Sequence, residues 1–260
     1  MKIVVCVKYV PDATADRHFS PDDHTTDRAS VDGLLCELDE YAVEEALKIV
    51  EAGEGEVTVI CMGPPEAMEA VKKSLQMGVH KGIHISDEGL RGSDAVGTAT
   101  VLAAAINKIG TPDLVMTGMA STDGTGSVVA SMLAEMLELP QITFASELTV
   151  DGSSVRMRRD GDLATEIVEA TLPAVVSVTD QINEPRYPSF KGIMAAKKKP
   201  VETWSLADLG VDAASVGLTG ALTQVAQANK RPPRQQGLLV SDDGEGGTVL
   251  AQFLSLQKFV

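Results

Sequence analysis

The chain has few cysteines, few positive charges and no long hydrophobic run, and each shortage excludes a class of protein. Its 260 residues include three cysteines, without the spacing of a metal site, a haem site or a Cys-x-x-Cys redox pair. Because neither a disulfide scaffold nor a redox pair is available, and no signal peptide precedes the first strand-like segment, we expect a cytoplasmic protein. No stretch approaches transmembrane length, so no direct membrane insertion is expected.

Negative charge dominates the composition. Lysine and arginine number 22 against 37 aspartates and glutamates, which gives a formal net charge of −15. Nucleic acid is therefore excluded as a partner, because its phosphates would be repelled. A hydrophobic content of 44% is ordinary for a globular protein, and the length suits one large domain or one domain with an extension.

The motifs of several enzyme classes are also missing. There is no Walker lysine loop and no Gly-x-Gly-x-x-Gly after the first strand, which disfavours phosphate-loop hydrolases and NAD dehydrogenases. No serine, cysteine or histidine has an evident nucleophile arrangement. His80 and His84 could bind a metal from one helix face, but their segment is typical of a strand, so no metal site is predicted. We therefore expect a binding subunit rather than an enzyme.

Apolar, β-branched runs alternate with helical patterns through the first two thirds of the chain. Strands are predicted at residues 2–7, 56–62, 82–86 and 113–118. An apolar face repeats from Leu38 to Val50, Ser93 is predicted to cap a helix reaching Ile109, and Thr125 or Ser127 to begin another through Leu139. This alternation predicts an α/β fold with a mainly parallel, doubly wound, Rossmann-like sheet.

The pattern changes after residue 140. Residues 142–150, an Asp151-Gly152 turn and the runs VRMRR and TEIVEAT predict antiparallel strands, and residues 173–180 a further buried strand. The predicted organisation is an adenine-nucleotide-binding domain at residues 1–200 and an extended C-terminal arm at 201–260. The arm is consistent with a disordered linker and terminal helix, or with a segment that orders against a partner subunit.

Residues 118–127, GMASTDGTGS, follow the fourth strand and lead into a helix. Small residues let a backbone approach a ligand closely, and amides at a helix N-terminus suit a phosphate. In a doubly wound sheet this is also where ligands bind. A small-residue turn with an N-cap is the structural alternative.

Residues 183–200, NEPRYPSFKGIMAAKKKP, form a segment that we call the recognition loop. Pro185 and Pro188 favour extended geometry, so the segment is not predicted to be simply a helix. Phe190 with a basic rim at 197–199 is typical of a partner-binding site. Alternatively, the aromatic side chains pack on the core and the lysines form a solvated helix end.

Seven blocks, in order along residues 1–203, resemble the β subunit of electron transfer flavoprotein. They are IVVCVKYVPD, AVEEALKI, MGVHKGIHI, STDGTG, LPQITFASEL, LPAVVSV and the recognition loop itself. The resemblance implies an αβ heterodimer that carries electrons from primary flavin dehydrogenases, such as acyl-CoA dehydrogenases, to a quinone oxidoreductase or another acceptor. It also implies FAD held mainly by the α subunit and a structural AMP buried in the β subunit.

The resemblance assigns residues to three sites. The AMP site would comprise Cys6, Cys36, Glu37, Leu38, Asp39, Met62, Gly118, Met119, Ala120, Ser121, Thr122, Asp123, Gly124, Thr125, Gly126, Ser127, Val128 and Val129. The β-side approach to the flavin would comprise Pro11, Asp12 and Ala13. Partner recognition would involve Glu184, Arg186, Tyr187, Phe190, Ile193, Met194, Lys197, Lys198 and Lys199.

The chain departs from the family's pattern at three points. Phe190 stands where the family inserts a leucine into the dehydrogenase, Met157 stands where a basic residue is usual, and SVVA at 127–130 replaces a more polar helix start. Two other hypotheses remain open. One is a bifurcating electron transfer flavoprotein with a second FAD in the AMP site, and the other is a stand-alone adenine-nucleotide-binding regulatory module.

Overall fold

The structure is a computed structural model that describes residues 1–234, 236–237 and 239–260. Within these residues, strands β1 to β14 span, in chain order, Lys2–Val7, Tyr9–Pro11, His18–Phe19, Thr26–Asp27, Gly33–Leu35, Glu56–Met62, Lys81–Ile85, Leu114–Gly118, Gln141–Ala145, Glu147–Asp151, Ser154–Asp160, Thr165–Thr171, Ala174–Val178 and Val201–Trp204. Helices α1 to α8 span Glu37–Ala52, Met68–Met77, Ala95–Ile109, Val129–Met136, Phe190–Ala196, Leu206–Leu209, Gly217–Gly220 and Gly246–Leu256.

A seven-stranded parallel sheet forms the centre of the fold. Its strand order is β14-β7-β6-β1-β8-β13-β9, and each neighbouring pair is parallel. From β1 the chain first adds β6 and β7 on one side and later β8 on the other. The strand order therefore reverses at β1, which creates a crevice at the carboxyl ends of β1 and β8.

Both faces of the sheet are covered. On one face, α1 and α2 pack against alternate strand residues, and so does a three-stranded antiparallel sheet of β10, β11 and β12. On the other face, α3 and α4 bury mainly alanine, valine and leucine side chains. The predicted α/β, doubly wound, Rossmann-like class is confirmed.

Strand bounds follow the sequence pattern most closely where the strand is buried on both faces. Strands β1 and β6 have the predicted bounds. Each is a continuous apolar run, so the strand ends where the apolar run ends. Residues 142–150 differ from the prediction of an antiparallel strand. They divide at Ser146 into β9, which joins the parallel sheet, and β10, which joins the antiparallel one.

Two predicted helix starts are wrong. Asp94, not Ser93, caps α3, because its carboxylate accepts the Gly97 N–H at 2.9 Å, whereas the Ser93 hydroxyl donates to the Leu90 carbonyl. Helix α4 starts at Val129, later than predicted, and ends at Met136, before the predicted end at Leu139. Thr125 and Ser127 have φ values of 48° and 55°, in the left-handed region that a helix excludes.

The predicted hairpin is present, with its two-residue turn one position later than expected, at Gly152 and Ser153. Gly152 has φ 57°, and β10 pairs with β11 on either side of the turn. Met157 on β11 is 2% exposed in the core beneath this small sheet. An apolar side chain at this position therefore fills the core, where a basic one would lose its hydration.

The C-terminal part begins with an additional sheet strand. β14 pairs in parallel with β7, so the predicted boundary after residue 200 falls immediately before a strand of the central sheet. Residues 1–226 form one compact unit and residues 227–260 a second, which contains α8. In the described part of the chain, no helix is both long and apolar enough to cross a bilayer.

Candidate functional site

The crevice at the carboxyl ends of β1, β6 and β8 opens into a cavity of about 1390 Å³. Parallel strands of this topology direct their ends, and the loops after them, toward a common ligand site. Much of the predicted AMP site lines this cavity: Cys6, Asp39, Met62, Gly118, Met119, Ala120, Ser121, Gly124, Gly126, Ser127, Val128 and Val129.

The other predicted residues of the AMP site do not line the cavity. Cys36 is buried, and its N–H donates to the Lys8 carbonyl at 2.9 Å. The Leu38 carbonyl lies against Gly118, where an added Cβ would be 2.6 Å from that oxygen, so only glycine allows this approach. Glu37, Thr122, Asp123 and Thr125 complete this set, and none of them lines the cavity.

Asp39 is a buried acid at the start of α1. Its carboxylate accepts the Lys8 N–H at 2.8 Å and a further hydrogen bond from the Gly118 backbone. Burial raises the pKa of Asp39 to about 7, although these hydrogen bonds and the Lys8 charge act in the opposite direction. Asp39 therefore joins the ends of β1 and β8 at the point where strand order reverses.

Lys8 and Arg28 meet at Asp123, and the sequence analysis missed both cations. Asp123 accepts from Lys8 Nζ at 2.8 Å and from Arg28 Nη2 at 3.0 Å, with its side chain 4% exposed. Burial alone would raise the pKa of Asp123, but the charge and hydrogen bond of Lys8 lower it below its ordinary value, with help from Ser121 and Arg28. The position of Lys8, directly after β1, was the signal available in the sequence.

A short hairpin covers one side of the cavity. It contains β3 and β4, and Ser20, Pro21 and residues 25–29 line the cavity. Arg91 Nη2 forms an ion pair with Asp23 at 2.6 Å and also donates a hydrogen bond to the Thr25 hydroxyl at 3.1 Å. Ion pairs therefore hold the hairpin on two sides, through Arg91 and through Arg28.

The loop between β8 and α4 offers unused hydrogen-bond donors. The N–H groups of Gly126, Ser127 and Val128 have no acceptor among the described residues. The buried hydroxyl of Thr122 likewise has no partner there. Such amides before a helix suit a phosphate, so the residues present fit a mononucleotide.

The predicted flavin-side residues lie outside the cavity lining. Pro11 is buried at the end of β2, and Ala13 is exposed. The Asp12 carboxylate accepts from the N–H and hydroxyl of Thr14, each at 2.7 Å. These bonds fix the turn that follows β2.

The recognition loop presents apolar side chains to solvent. Residues 183–189 are irregular, Ser189 caps α5, and α5 begins at Phe190. Tyr187 is 92% and Phe190 80% exposed, and Ile193, Met194, Glu184, Lys197 and Lys198 are also exposed. Arg186 and Lys199 differ, because their side chains bond to α1 and α2 within the chain.

His80 and His84 do not share a site. The His80 Nδ1 atom accepts the Val57 N–H, and His84 Nε2 lies 3.1 Å from the Pro64 carbonyl oxygen. In the described residues, no group of three or more histidine, cysteine, aspartate or glutamate residues could hold a metal ion.

The sequence is similar to proteins of one family. The model of the electron transfer flavoprotein domain matches residues 23–209. Electron transfer flavoprotein subunit beta of Mycobacterium leprae is 44% identical over 263 residues, 99% of each chain, and that of Megasphaera elsdenii is 34% identical over 271 residues and the whole of both chains. The caffeyl-CoA reductase-Etf complex subunit CarD of Acetobacterium woodii is 33% identical, covering 93% of this chain and 92% of that protein.

Proposed function

Because the chain belongs to the electron transfer flavoprotein family as a β subunit, we propose that it works in a heterodimer with an α subunit and holds AMP in the crevice at β1 and β8. Electrons would come from primary flavin dehydrogenases, such as acyl-CoA dehydrogenases, and leave to a quinone oxidoreductase or another acceptor. FAD, held mainly by the α subunit, would supply the redox chemistry. The complex would act in the cytoplasm.

The observation that carries the AMP proposal is the set of N–H groups without acceptors in residues 126–128. They would bind the phosphate, while Asp39 and Lys8 fix the strand ends beside it. Pro11, Asp12 and Ala13 would approach the flavin from the β side. Residues 201–260 would extend from the central sheet, through β14, to pack on the α subunit.

We propose a carrier role rather than catalysis by this chain. Burial raises the pKa of Cys6 to about 12 and that of Cys36 to about 11, with the charge of Asp39 adding to both shifts. Burial also raises the pKa of Cys61 to about 12. The nucleophilic form of cysteine is the thiolate, so these thiols are inert at neutral pH.

The recognition loop would choose the dehydrogenase. Phe190 and its exposed apolar neighbours suit an anchor in an apolar pocket, and Lys197 and Lys198 suit an acidic rim on the partner. This role concerns partner choice, while electron flow passes through the flavin.

Co-expression with the α-type chain, followed by identification and counting of the released nucleotides, tests the proposal. We expect one FAD and one AMP per heterodimer. A Phe190→Ala heterodimer is the matched control, because its change is confined to the recognition loop and should leave both nucleotides in place. A heterodimer with FAD but no adenine nucleotide would contradict the AMP assignment.

A bifurcating complex with a second FAD in the crevice is the second candidate. The cavity, at about 1390 Å³, exceeds the roughly 300–1,000 Å³ of common ligand pockets. Two flavins per heterodimer would establish this candidate and exclude the AMP one. A stable flavin-free monomer that binds adenine nucleotide would instead identify a regulatory module.

A further inference from the structure

Arg186 lies in the recognition loop, yet its guanidinium faces its own chain. Nε and Nη2 donate to the two carboxylate oxygens of Glu44 at 2.7 and 3.0 Å. Nη1 and Nη2 donate to the two oxygens of Glu51 at 2.6 and 2.9 Å. Four of the five N–H donors of an arginine are thus used by two acids on α1.

The burial of these partners makes the contact part of the fold. The Glu44 side chain is 8% exposed and also accepts the backbone N–H of Arg186 at 3.1 Å. The hydrogen bonds that Arg186 donates to Glu51, and then those to Glu44, raise the pKa of Arg186 above its ordinary value. One N–H donor therefore remains for a partner protein, and any bidentate contact with the guanidinium would require this pairing to break.

Three further contacts fix the recognition loop along its length. At its start, Asn183 Nδ2 donates to the Tyr41 carbonyl and to Glu45, at 3.1 and 3.0 Å. In its middle, Gly192 packs so closely on α2 that an added Cβ would be 2.5 Å from the Gln76 carbonyl oxygen. At its end, Lys199 Nζ donates to the Leu75 carbonyl at 2.9 Å.

Between these anchors, the apolar side chains point outward. Tyr187 adjoins Arg186 and is 92% exposed, Phe190 is 80% exposed and Met194 48% exposed. Holding such side chains in one arrangement costs conformational entropy, and a segment fixed before binding loses less of it in the complex. The anchors therefore supply preorganisation.

We infer that Arg186 is a positioning residue, which acts through Glu44 and Glu51 to present Tyr187 and Phe190 to a partner protein, and that it does not contact the partner itself. The inference rests on the proposed docking role of the recognition loop. It replaces the expectation that Arg186 recognises the partner directly.

The test uses the co-expressed heterodimer as substrate of its dehydrogenase in steady-state assays. Arg186→Gln should raise the KM for the heterodimer about tenfold, because the loop must be ordered on binding, and leave kcat unchanged. Glu44→Gln and Glu51→Gln should each raise KM in the same direction. In a double-mutant cycle, Arg186→Gln with Glu51→Gln should raise KM no further than Arg186→Gln alone.

Additive effects of Arg186→Gln and Glu51→Gln on KM, or an unchanged KM in Glu51→Gln beside a raised one in Arg186→Gln, would show direct contact and overturn the inference. Glu51 is 55% exposed, so its variant folds even if the Glu44 variant does not. Amide hydrogen exchange gives a readout without the dehydrogenase: residues 183–199 should exchange faster in Arg186→Gln, with nucleotide content unchanged. Equal exchange would also overturn it.

Lys198→Gln is the matched control, since it removes an exposed cation of the same loop without breaking an intrachain bond. Its loop should exchange like that of the unaltered chain. Failure of the proposed function is distinguishable, because Phe190→Ala would then leave the KM unchanged as well. If Phe190→Ala raises KM and Arg186→Gln does not, the positioning role alone fails.

Discussion

The crevice and the recognition loop use charged side chains in the same way but leave different kinds of group exposed. In the crevice, Asp123 holds Lys8 and Arg28 at a cavity where the backbone N–H groups of residues 126–128 have no acceptor among the described residues. In the recognition loop, Arg186 binds α1 and leaves Tyr187 exposed. In both regions an ion pair within the chain fixes the local structure, beside backbone amides in one region and an exposed aromatic ring in the other.

Their buried acids differ in one respect. Glu44 lies in direct contact with the Arg186 guanidinium, whereas Asp39 receives hydrogen bonds from backbone N–H groups. A buried acid without a paired cation keeps its proton more readily. The crevice should therefore respond to pH through Asp39.

The largest expected effect is this pH response. The pKa of Asp39 rises from 3.8 to about 7 in the folded chain, so the folded state binds more protons than the unfolded state between these values. The contribution of Asp39 to the free energy of unfolding is therefore highest below pH 4 and falls as pH rises to 7, by up to roughly 4 kcal/mol at about 1.4 kcal/mol per pKa unit. Urea unfolding of heterodimers with and without Asp39→Asn, at several pH values, measures it.

As pH rises, the free energy of unfolding of the unaltered heterodimer should fall relative to that of the Asp39→Asn variant. Parallel pH profiles would show that the Asp39 pKa is ordinary. They would remove the distinction between the two buried acids.

Asp123→Ala should have the next largest effect. It leaves Lys8 and Arg28 without their shared carboxylate, which frees both the loop after β8 and the hairpin over the cavity. We expect nucleotide affinity to fall about a hundredfold, as for loss of a buried pair, with docking unchanged. Quantifying nucleotide after gel filtration measures this.

Asp160→Ala is the control for Asp123→Ala, because Asp160 also binds an arginine, Arg158, but on the three-stranded sheet. It should retain the nucleotide. Full retention by Asp123→Ala as well would show that the ion pairs do not shape the crevice.

Phe190→Ala should affect only the other region. Removing the exposed ring should lower kcat/KM for reduction by the dehydrogenase about tenfold, as for a central apolar anchor, without changing flavin or nucleotide content. Leu163→Ala removes a fully exposed apolar side chain elsewhere and should leave reduction unchanged. An unaltered rate in Phe190→Ala would remove this residue from the interface.

The smallest effect concerns the free lysines of the recognition loop. Changing Lys197 and Lys198 together to glutamine should slow reduction about two- to threefold at low salt, since rim charges mainly steer association. At high salt the difference should vanish, because screening acts within about 10 Å or less. A salt-independent loss would indicate direct ion pairs with the partner.

Periodicity was sufficient to predict five of the seven strands of the central sheet, but it missed strand β14, the parallel pairing of β9 and the side chains that support the site. The bounds of β1 and β6 could be predicted because each is a continuous β-branched run, as expected of a strand buried on both faces. The hairpin over the cavity has strands of two residues each, too short for any period. Strand β14 was missed for a similar reason, since its four residues are mostly exposed.

The direction of side chains was the other feature that the sequence pattern could not predict. Arg186 and Glu44 are 142 residues apart in the chain, and no local pattern distinguishes an arginine that faces a helix from one that faces solvent. The predicted start of α4 was wrong for a related reason. Thr125 and Ser127 are good capping residue types, but the positive φ of each follows from the path of the whole loop.

Helix α1 has a consequence for engineering this protein toward other partners. Its first turn carries Asp39 at the cavity, the side facing the recognition loop carries the carboxylates that bind Arg186, and its apolar side packs on the sheet. A randomised library that includes α1 would lose nucleotide and loop geometry together. A library restricted to positions 187, 190 and 194 would vary specificity on an unchanged frame.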